Sequence, residues 1–400
     1  MPEGIDVSTP IFVLRRTRNP FHHGGLAVAR SAGAWGVPVH SVQESRWSPA
    51  AWSRYEKGRL SLPADASEEW WLRALVEAGR RLGRAVLVPI DDVAAVFVED
   101  HASALSECFA FPARPAGLTR RLSDKRALHH LAGELDIPVP DARFPTDEGE
   151  VADYAAAGEF PVVVKQIDAW HSARENDAPS VTIAGDGREL LRAYRAMESD
   201  AAPNVMLQQY IPGTSESVWM FNGYFDADST CRFGAAGVKL RQRGPHTGPT
   251  TLGLCAGNPT VEDQTLRLMR AVGYRGILDL GFRYDARDGG YKLLDVNPRV
   301  GGSFRLFTGD RGMDVLRALY LDLTGQPVPR AAPWHGRRWI VEPYDLVAAA
   351  QLAREGELGL RRWRRSLRGV QEAAWFDPRD PLPFLGMVVR MSLSLPGRRR

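Results

Sequence analysis

The chain has 400 residues, a formal net charge of +3, and apolar (44%) and charged (25%) fractions typical of a globular protein. That length allows two or three domains with cores of their own, and so small a net charge gives no broad nucleic-acid footprint. Cys108, Cys231 and Cys255 form an odd set without Cys-x-x-Cys spacing, which speaks against a zinc site or disulfide framework and for a reducing compartment. The chain does not open on a basic stretch followed by an apolar one, and no run approaches membrane-spanning length. A soluble, cytoplasmic protein without stable membrane insertion is therefore expected. Lysine occurs only at positions 57, 125, 165, 239 and 292, with arginine supplying the remaining basic residues, so each lysine is worth following.

Residues 9–14 read as a short apolar strand, followed by the Gly24-Gly25 pair, a helical pattern over 26–35 and a strand over 37–40. A helix at 69–82 and a strand at 85–89 continue this rhythm, so residues 1–117 read as a small open α/β domain. The glycine pair lacks G-x-G-x-x-G spacing, and His22 and His23 beside it read as loop surface in preference to ligand contacts at a helix N-terminus. Ser123 and Asp124 are N-cap candidates for a helix running to about Leu135. Lys125 falls in its first turn, where the helix dipole disfavours a cation; it is either an exposed lysine or one that faces an anionic ligand.

Residues 160–165 (FPVVVK) read as a buried strand whose closing Lys165 marks a sheet edge or a phosphate contact. His171, Ser172, Arg174 and Glu175 occupy a polar loop before a strand at 180–184, and a helix at 187–198 precedes a strand at 205–210 (VMLQQY). Ile211, Pro212 and Gly213 break that strand and Glu216 follows. Residues 217–225 and 231–241 alternate as a hairpin around 226–230, with Lys239 and Arg241 at its end. The stretch 243–254 (RGPHTGPTTLGL) reads as a loop long enough to be functional. Residues 260–272 read as an amphipathic helix, with Asp263 completing a cap-like pattern behind Thr260.

The most informative stretch spans 277–303 (ILDLGFRYDARDGGYKLLDVNPRVGGS). Leu278, Leu280, Phe282 and Tyr284 alternate with Asp279, Gly281, Arg283 and Asp285, and an Asp-Gly-Gly run turns the strand back. Pairing Asp285 with Tyr291 sets Asp279 opposite Asn297 and makes Asp295 its diagonal neighbour on the same face. Two carboxylates and an amide oxygen then converge, hard donors suited to Mg²⁺ carrying a nucleotide. A helix at 313–323 follows, and residues 331–400 read as a basic extension. Within it, 351–368 forms a helix read as a solvated face in preference to a membrane or nucleic-acid contact.

In this order and spacing, Lys125, Lys165, Gln208, Gln209, Tyr210, Ile211, Glu216, Lys239, Asp279, Asp295 and Asn297 resemble the ATP-grasp superfamily. Within it the likeness is to the carboxylate–amine ligase branch of D-aspartate ligase-like and D-alanine–D-alanine ligase-like enzymes. The resemblance covers about residues 118–325 and implies an α/β (α+β) ATP-grasp fold, its domain at 118–330 with a nucleotide lid at about 118–212 and a catalytic subdomain at about 213–330. A pre-ATP-grasp domain would precede it and the C-terminal extension follow. It assigns Lys125 and Lys165 to the nucleotide phosphates, Gln208 to Ile211 to the adenine edge, Glu216 to the ribose and Lys239 to the γ-phosphate. Asp279, Asp295 and Asn297 would hold Mg²⁺ or Mn²⁺. Arg299 would hold the acceptor carboxylate, with Gly301 to Ser303 nearby and Arg241 and His246 as further pocket candidates.

The chemistry so implied joins a small-molecule carboxylate, an amino acid or small peptide, to an amine through an acyl phosphate, releasing ADP and phosphate. Alternatives are a thiol acceptor or a carboxylation on the same fold, a silent ATP-binding module, or a nucleic-acid or membrane binder acting through residues 354–369 and the terminal arginines. Such ligases often form homodimers. The sequence departs from the pattern at three places: residues 166–180 lack glycine, Gln208 and Gln209 replace charged residues, and Asp295 stands where a glutamate is usual.

Overall fold

A computed structural model describes residues 4–45, 47–61, 63, 66–168, 180–198, 202–244 and 247–394. Its first sheet is wholly parallel: β1 (Ile11–Leu14), β2 (Val39–Gln43), β3 (Glu56–Ser61), β4 (Ala85–Pro89) and β5 (Phe109–Ala110), in the order β3-β2-β1-β4-β5. All four side chains of β1 are buried, as suits a parallel strand covered on both faces. The order reverses between β1 and β4, so a crevice opens outside their carboxyl ends, the place where such sheets hold ligands. Asn19 to His23 follow β1, and Asp91 and Asp92 follow β4.

The helix Lys125–Glu134 is capped by Asp124, which accepts from the Ala127 amide at 2.7 Å; Ser123 instead ends the preceding helix Leu118–Ser123. A four-stranded antiparallel sheet follows: β6 (Ala142–Arg143), β7 (Val162–Gln166), β8 (Val181–Ala184) and β9 (Val205–Gln209), ordered β6-β9-β7-β8. With the helices Glu148–Ala157 and Gly187–Met197 it forms its own core around Val162, Val164, Leu190 and Leu207.

The remaining strands build a seven-stranded sheet ordered β14-β13-β10-β11-β12-β15-β16: β10 (Val218–Phe225), β11 (Cys231–Gln242), β12 (Thr250–Cys255), β13 (Gly276–Asp285), β14 (Gly290–Asn297), β15 (Arg338–Ile340) and β16 (Val370–Ala373). Its apolar residues Tyr224, Phe233 and Ile277 share one core with the first sheet and the helix Val315–Leu323. Its other face packs on the helices Leu118–Ser123, Lys125–Glu134 and Pro259–Ala271.

Four expectations are corrected here. Residues 250–255 are strand β12, so the Gly/Pro/Thr-rich connection is shorter than its composition suggests. The helix after it is capped by Asn258, whose side chain accepts from the Val261 amide, with Pro259 in the first turn; Asp263 plays no part in the cap. The basic stretch 351–368 is no single helix but parts of two, Glu342–Arg354 and Leu360–Ser366. Finally, the part of the basic extension that runs from residue 331 to residue 394 is built into the body of the fold. β15 and β16 extend the main sheet, and buried Arg30 reaches the Trp375 and Asp380 carbonyls (2.8 and 2.9 Å) and the Asp380 carboxylate (3.1 Å).

Candidate active site

A cavity of about 620 Å³ lies among the three sheets. β7 and β9 contribute Val163, Lys165, Gln208 and Gln209, with Tyr210 and Ile211 beyond; β11 and β13 contribute Lys239, Gln242, Asp279, Gly281 and Arg283; β14 and its loop contribute Asp295, Asn297, Arg299, Gly302 and Ser303. Lys125 enters from the first turn of its helix and lines the cavity. Of the expected site residues, Lys125, Lys165, Lys239, Gln208, Gln209, Tyr210, Ile211, Asp279, Asp295, Asn297 and Arg299 are brought together. Glu216 lies exposed on a 3-10 turn and does not line the cavity. His246, His171, Ser172, Arg174, Glu175 and the terminal arginines 398–400 lie outside the described residues.

The two carboxylates converge by a route that differs in detail from the one expected. Asp285 pairs with Gly290, one residue off the expected partner, and the register shifts again between Gly281 and Phe282, passing over Leu294. This bulge restores the pairing of Asp279 with Asn297 and Gly281 with Asp295. Glycine at 281 is needed because a Cβ there would collide with the Asp295 carboxylate, and one at Gly301 would stand 2.5 Å from Asp279 Oδ2. Asn297 Nδ2 donates to Asp295 Oδ2 (3.1 Å) and to the Asp279 carbonyl (3.2 Å). Buried Asn222, directly across β10, donates to Asp279 Oδ1 at 2.8 Å. Its own Oδ1 is buried without a partner among the described residues.

Arg299 Nε donates to Asp92 Oδ1 (3.1 Å) and Nη1 approaches Asp279 Oδ2 (3.4 Å). It therefore ties the loop after β4 to the carboxylate pair. Burial raises the Asp279 carboxyl above its usual range, opposed by Arg299. Burial also depresses the three lysines, Lys165 to about 8, and Asp295 only partly offsets this. Three cations thus converge on one cavity with Asp295 the first opposing charge on each of them.

Arg241, a pocket candidate from its strand position, is not in the cavity. A register shift between Lys239 and Arg241, opposite Gly253 and Leu252, breaks the alternation and turns its side chain to the other face. There it makes a buried two-point pair with Asp345 (2.8 and 3.1 Å), which also accepts from Thr251 and Trp363. His22 and His23, read as loop surface, in fact line the cavity. His23 packs on Trp339 (ring centroids 5.6 Å apart) and approaches Gly302. Burial holds His23 down to about 4 and His22 well below its ordinary value, so both imidazoles are neutral at pH 7.

Sequence reasoning also missed three other residues. Arg283 donates to the Gly213 carbonyl at 2.8 Å and lies 5.9 Å from the Tyr210 ring centre; its alternation with Asp279 and Gly281 was the available signal. Asn222 and Asp92 act through strand pairing and sheet order, and left no local signal.

No protein-family model matches the chain. It is 25% identical over 243 residues to the D-aspartate ligase of Enterococcus faecium (strain Aus0004), covering 58% of this chain and 57% of that protein. The structure resembles Staphylococcus aureus N5-carboxyaminoimidazole synthetase complexed with ADP (TM-score 0.64, 12% identity, 84% of this chain and 82% of that one). It also resembles the L-amino acid ligase of Bacillus licheniformis (TM-score 0.57, 15% identity, 83% and 76%). The fold is the ATP-grasp fold, which the chain shares with these structures. The chain spans little more than half the length of the D-aspartate ligase it matches.

Proposed function

We propose that the protein is an ATP-dependent ligase that joins a carboxylate, an amino acid or small peptide, to an amine. The observation that carries this reading is the convergence of three depressed lysines and two aspartates in one cavity open to the crevice of the parallel sheet. Lys125, Lys165 and Lys239 bind the triphosphate, and Gln208 to Ile211 present the adenine-facing strand end. Asp279, Asp295 and Asn297 form an all-oxygen donor set, and the unpartnered Asn222 Oδ1 beside Asp279 fits a further polar contact there. These donors suit Mg²⁺, which when bound offsets charge on the transferring phosphoryl group.

The acceptor carboxylate oxygen attacks the γ-phosphorus, ADP departs, and the acyl phosphate's carbon is then attacked by the amine with release of phosphate. The lysines hold the reactants in line and stabilise the anionic groups. Neutral His22 and His23 line the cavity on the side of the parallel sheet and add polar but uncharged walls there. Arg299, held between Asp92 and Asp279, presents a fixed cation to the acceptor carboxylate.

The test is ADP and phosphate release from Mg²⁺-ATP against a panel of amino acids and short peptides, singly and in pairs, with Asp295→Asn as control. Release that requires a particular pair and is lost in the variant supports the ligase. ATP turnover indifferent to any carboxylate, or identical in the variant, contradicts it.

A further inference from the structure

The helix Leu382–Ser394 is apolar on two sides. One side packs into the core: Met387 is buried with Trp339 and Trp375, and Gly386 lies against the Trp52 ring. The other carries Leu382, Leu385, Val389 and Leu393 at helical spacing, each more than half exposed, with Val388 beside them. Two further exposed rings adjoin this stripe. Phe376 stacks edge-on to Phe384, and Trp47 packs on Trp52 and accepts from Arg390 at its carbonyl. An apolar patch of this extent on one surface calls for an occupant.

The rim identifies it. Arg54 and Arg379 are exposed at the start of the helix, joined by a bond from the Arg54 guanidinium to the Arg379 carbonyl (3.2 Å), and Arg390 flanks its other end. Of the acids beside Arg54 and Arg379, Asp380 is buried against Arg30 and Ser53, and Asp377 accepts from the Arg379 amide. From residue 381 to residue 400 the sequence holds no aspartate or glutamate, but it holds arginine at 390, 398, 399 and 400. A second copy docking on this patch by a twofold axis would set arginine rim against arginine rim, which like-charge repulsion disfavours. An anionic lipid surface offers what the patch lacks on both counts, acyl chains for the aliphatic stripe and phosphates for the arginines, with tryptophan at the interface depth it favours.

We infer that the helix Leu382–Ser394, with Trp47 and Phe376, seats the protein peripherally on an anionic lipid bilayer. The helix lies in the plane of the interface and does not cross it; no helix among the described residues is long and apolar enough to span a membrane.

Flotation of the full chain with vesicles tests this, using phosphatidylcholine alone and phosphatidylcholine mixed with phosphatidylglycerol. The inference expects binding to the mixed vesicles that weakens with added salt. It also expects the double variant Leu385→Asp, Val389→Asp to lose roughly tenfold or more in partitioning. Because both side chains are exposed, that variant keeps the wild-type melting temperature. Arg379→Glu, Arg390→Glu weakens binding to mixed vesicles and leaves the melting temperature unchanged. Absence of binding to mixed vesicles overturns the inference, as does binding unchanged in the aspartate variant. So does a concentration-dependent dimer, abolished by the aspartate substitutions, in a protein that ignores vesicles.

Discussion

Lys165 shows how far the site is built for a ligand it must wait for. Its ammonium is buried, and desolvation holds it at about 8 against an ordinary lysine value of 10.5. The unfolded chain keeps its proton to higher pH than the folded one, so this lysine destabilises the protein fully below pH 8, and the penalty fades as pH rises from 8 towards 10.5. Lys165→Met should therefore raise the unfolding free energy of the ligand-free protein at pH 7 by about 1–3 kcal/mol, with the gain shrinking above pH 8. The same variant should lose nucleotide affinity. A bound triphosphate favours the ammonium, so nucleotide binding near pH 8 should take up protons, seen by calorimetry in buffers of different ionisation enthalpy. Equal melting temperatures for variant and wild type at pH 7 would contradict the assignment of strain. Lys165 was legible in the sequence because a charge closes an apolar run; Arg283 and Asn222 were harder, since their importance comes from neighbours on other strands.

At the scale of elements, two irregularities decide which side chains reach the cavity. The shift at Gly281 lets β14 bring Asn297 opposite Asp279 despite a hairpin one residue tighter than its alternation suggested. The shift after Lys239 sends Arg241 to the opposite face. Bulges of this kind leave no mark on a hydrophobic pattern, so strand existence and the pairing of Asp279 with Asn297 were readable while the side assigned to Arg241 was not. The consequence is testable. Arg241→Met leaves Asp345 charged and buried with Thr251 and Trp363 as its side-chain partners among the described residues, and should cost about 3–5 kcal/mol in denaturant unfolding. The folded fraction should keep its nucleotide affinity. A variant of wild-type stability with impaired nucleotide binding would return Arg241 to the active site.

Across the whole molecule, the cavity depends on sheets that are distant in sequence. Loops after β1 and β4 supply His22, His23 and Asp92, because the parallel sheet reverses its strand order between those two strands. The α/β character of residues 1–117 was legible, but the strand order was not, and the order carries the histidines from apparent surface into the site. Asp92 holds Arg299, which also faces Asp279, and in the proposed reaction it would position that guanidinium. Asp92→Asn should leave nucleotide affinity within about threefold of wild type and lower turnover about tenfold, with a raised KM for the carboxylate substrate. A loss confined to ATP binding would place Asp92 elsewhere in the mechanism.

The measurement that bears most directly on the central claim is a calorimetric titration of the protein with ATP, with and without Mg²⁺, repeated on Asp295→Asn and Lys165→Met. The account predicts saturable, magnesium-dependent binding to the wild type that falls at least tenfold in each variant. Wild-type protein that does not bind ATP, or variants that bind it unchanged, would contradict it.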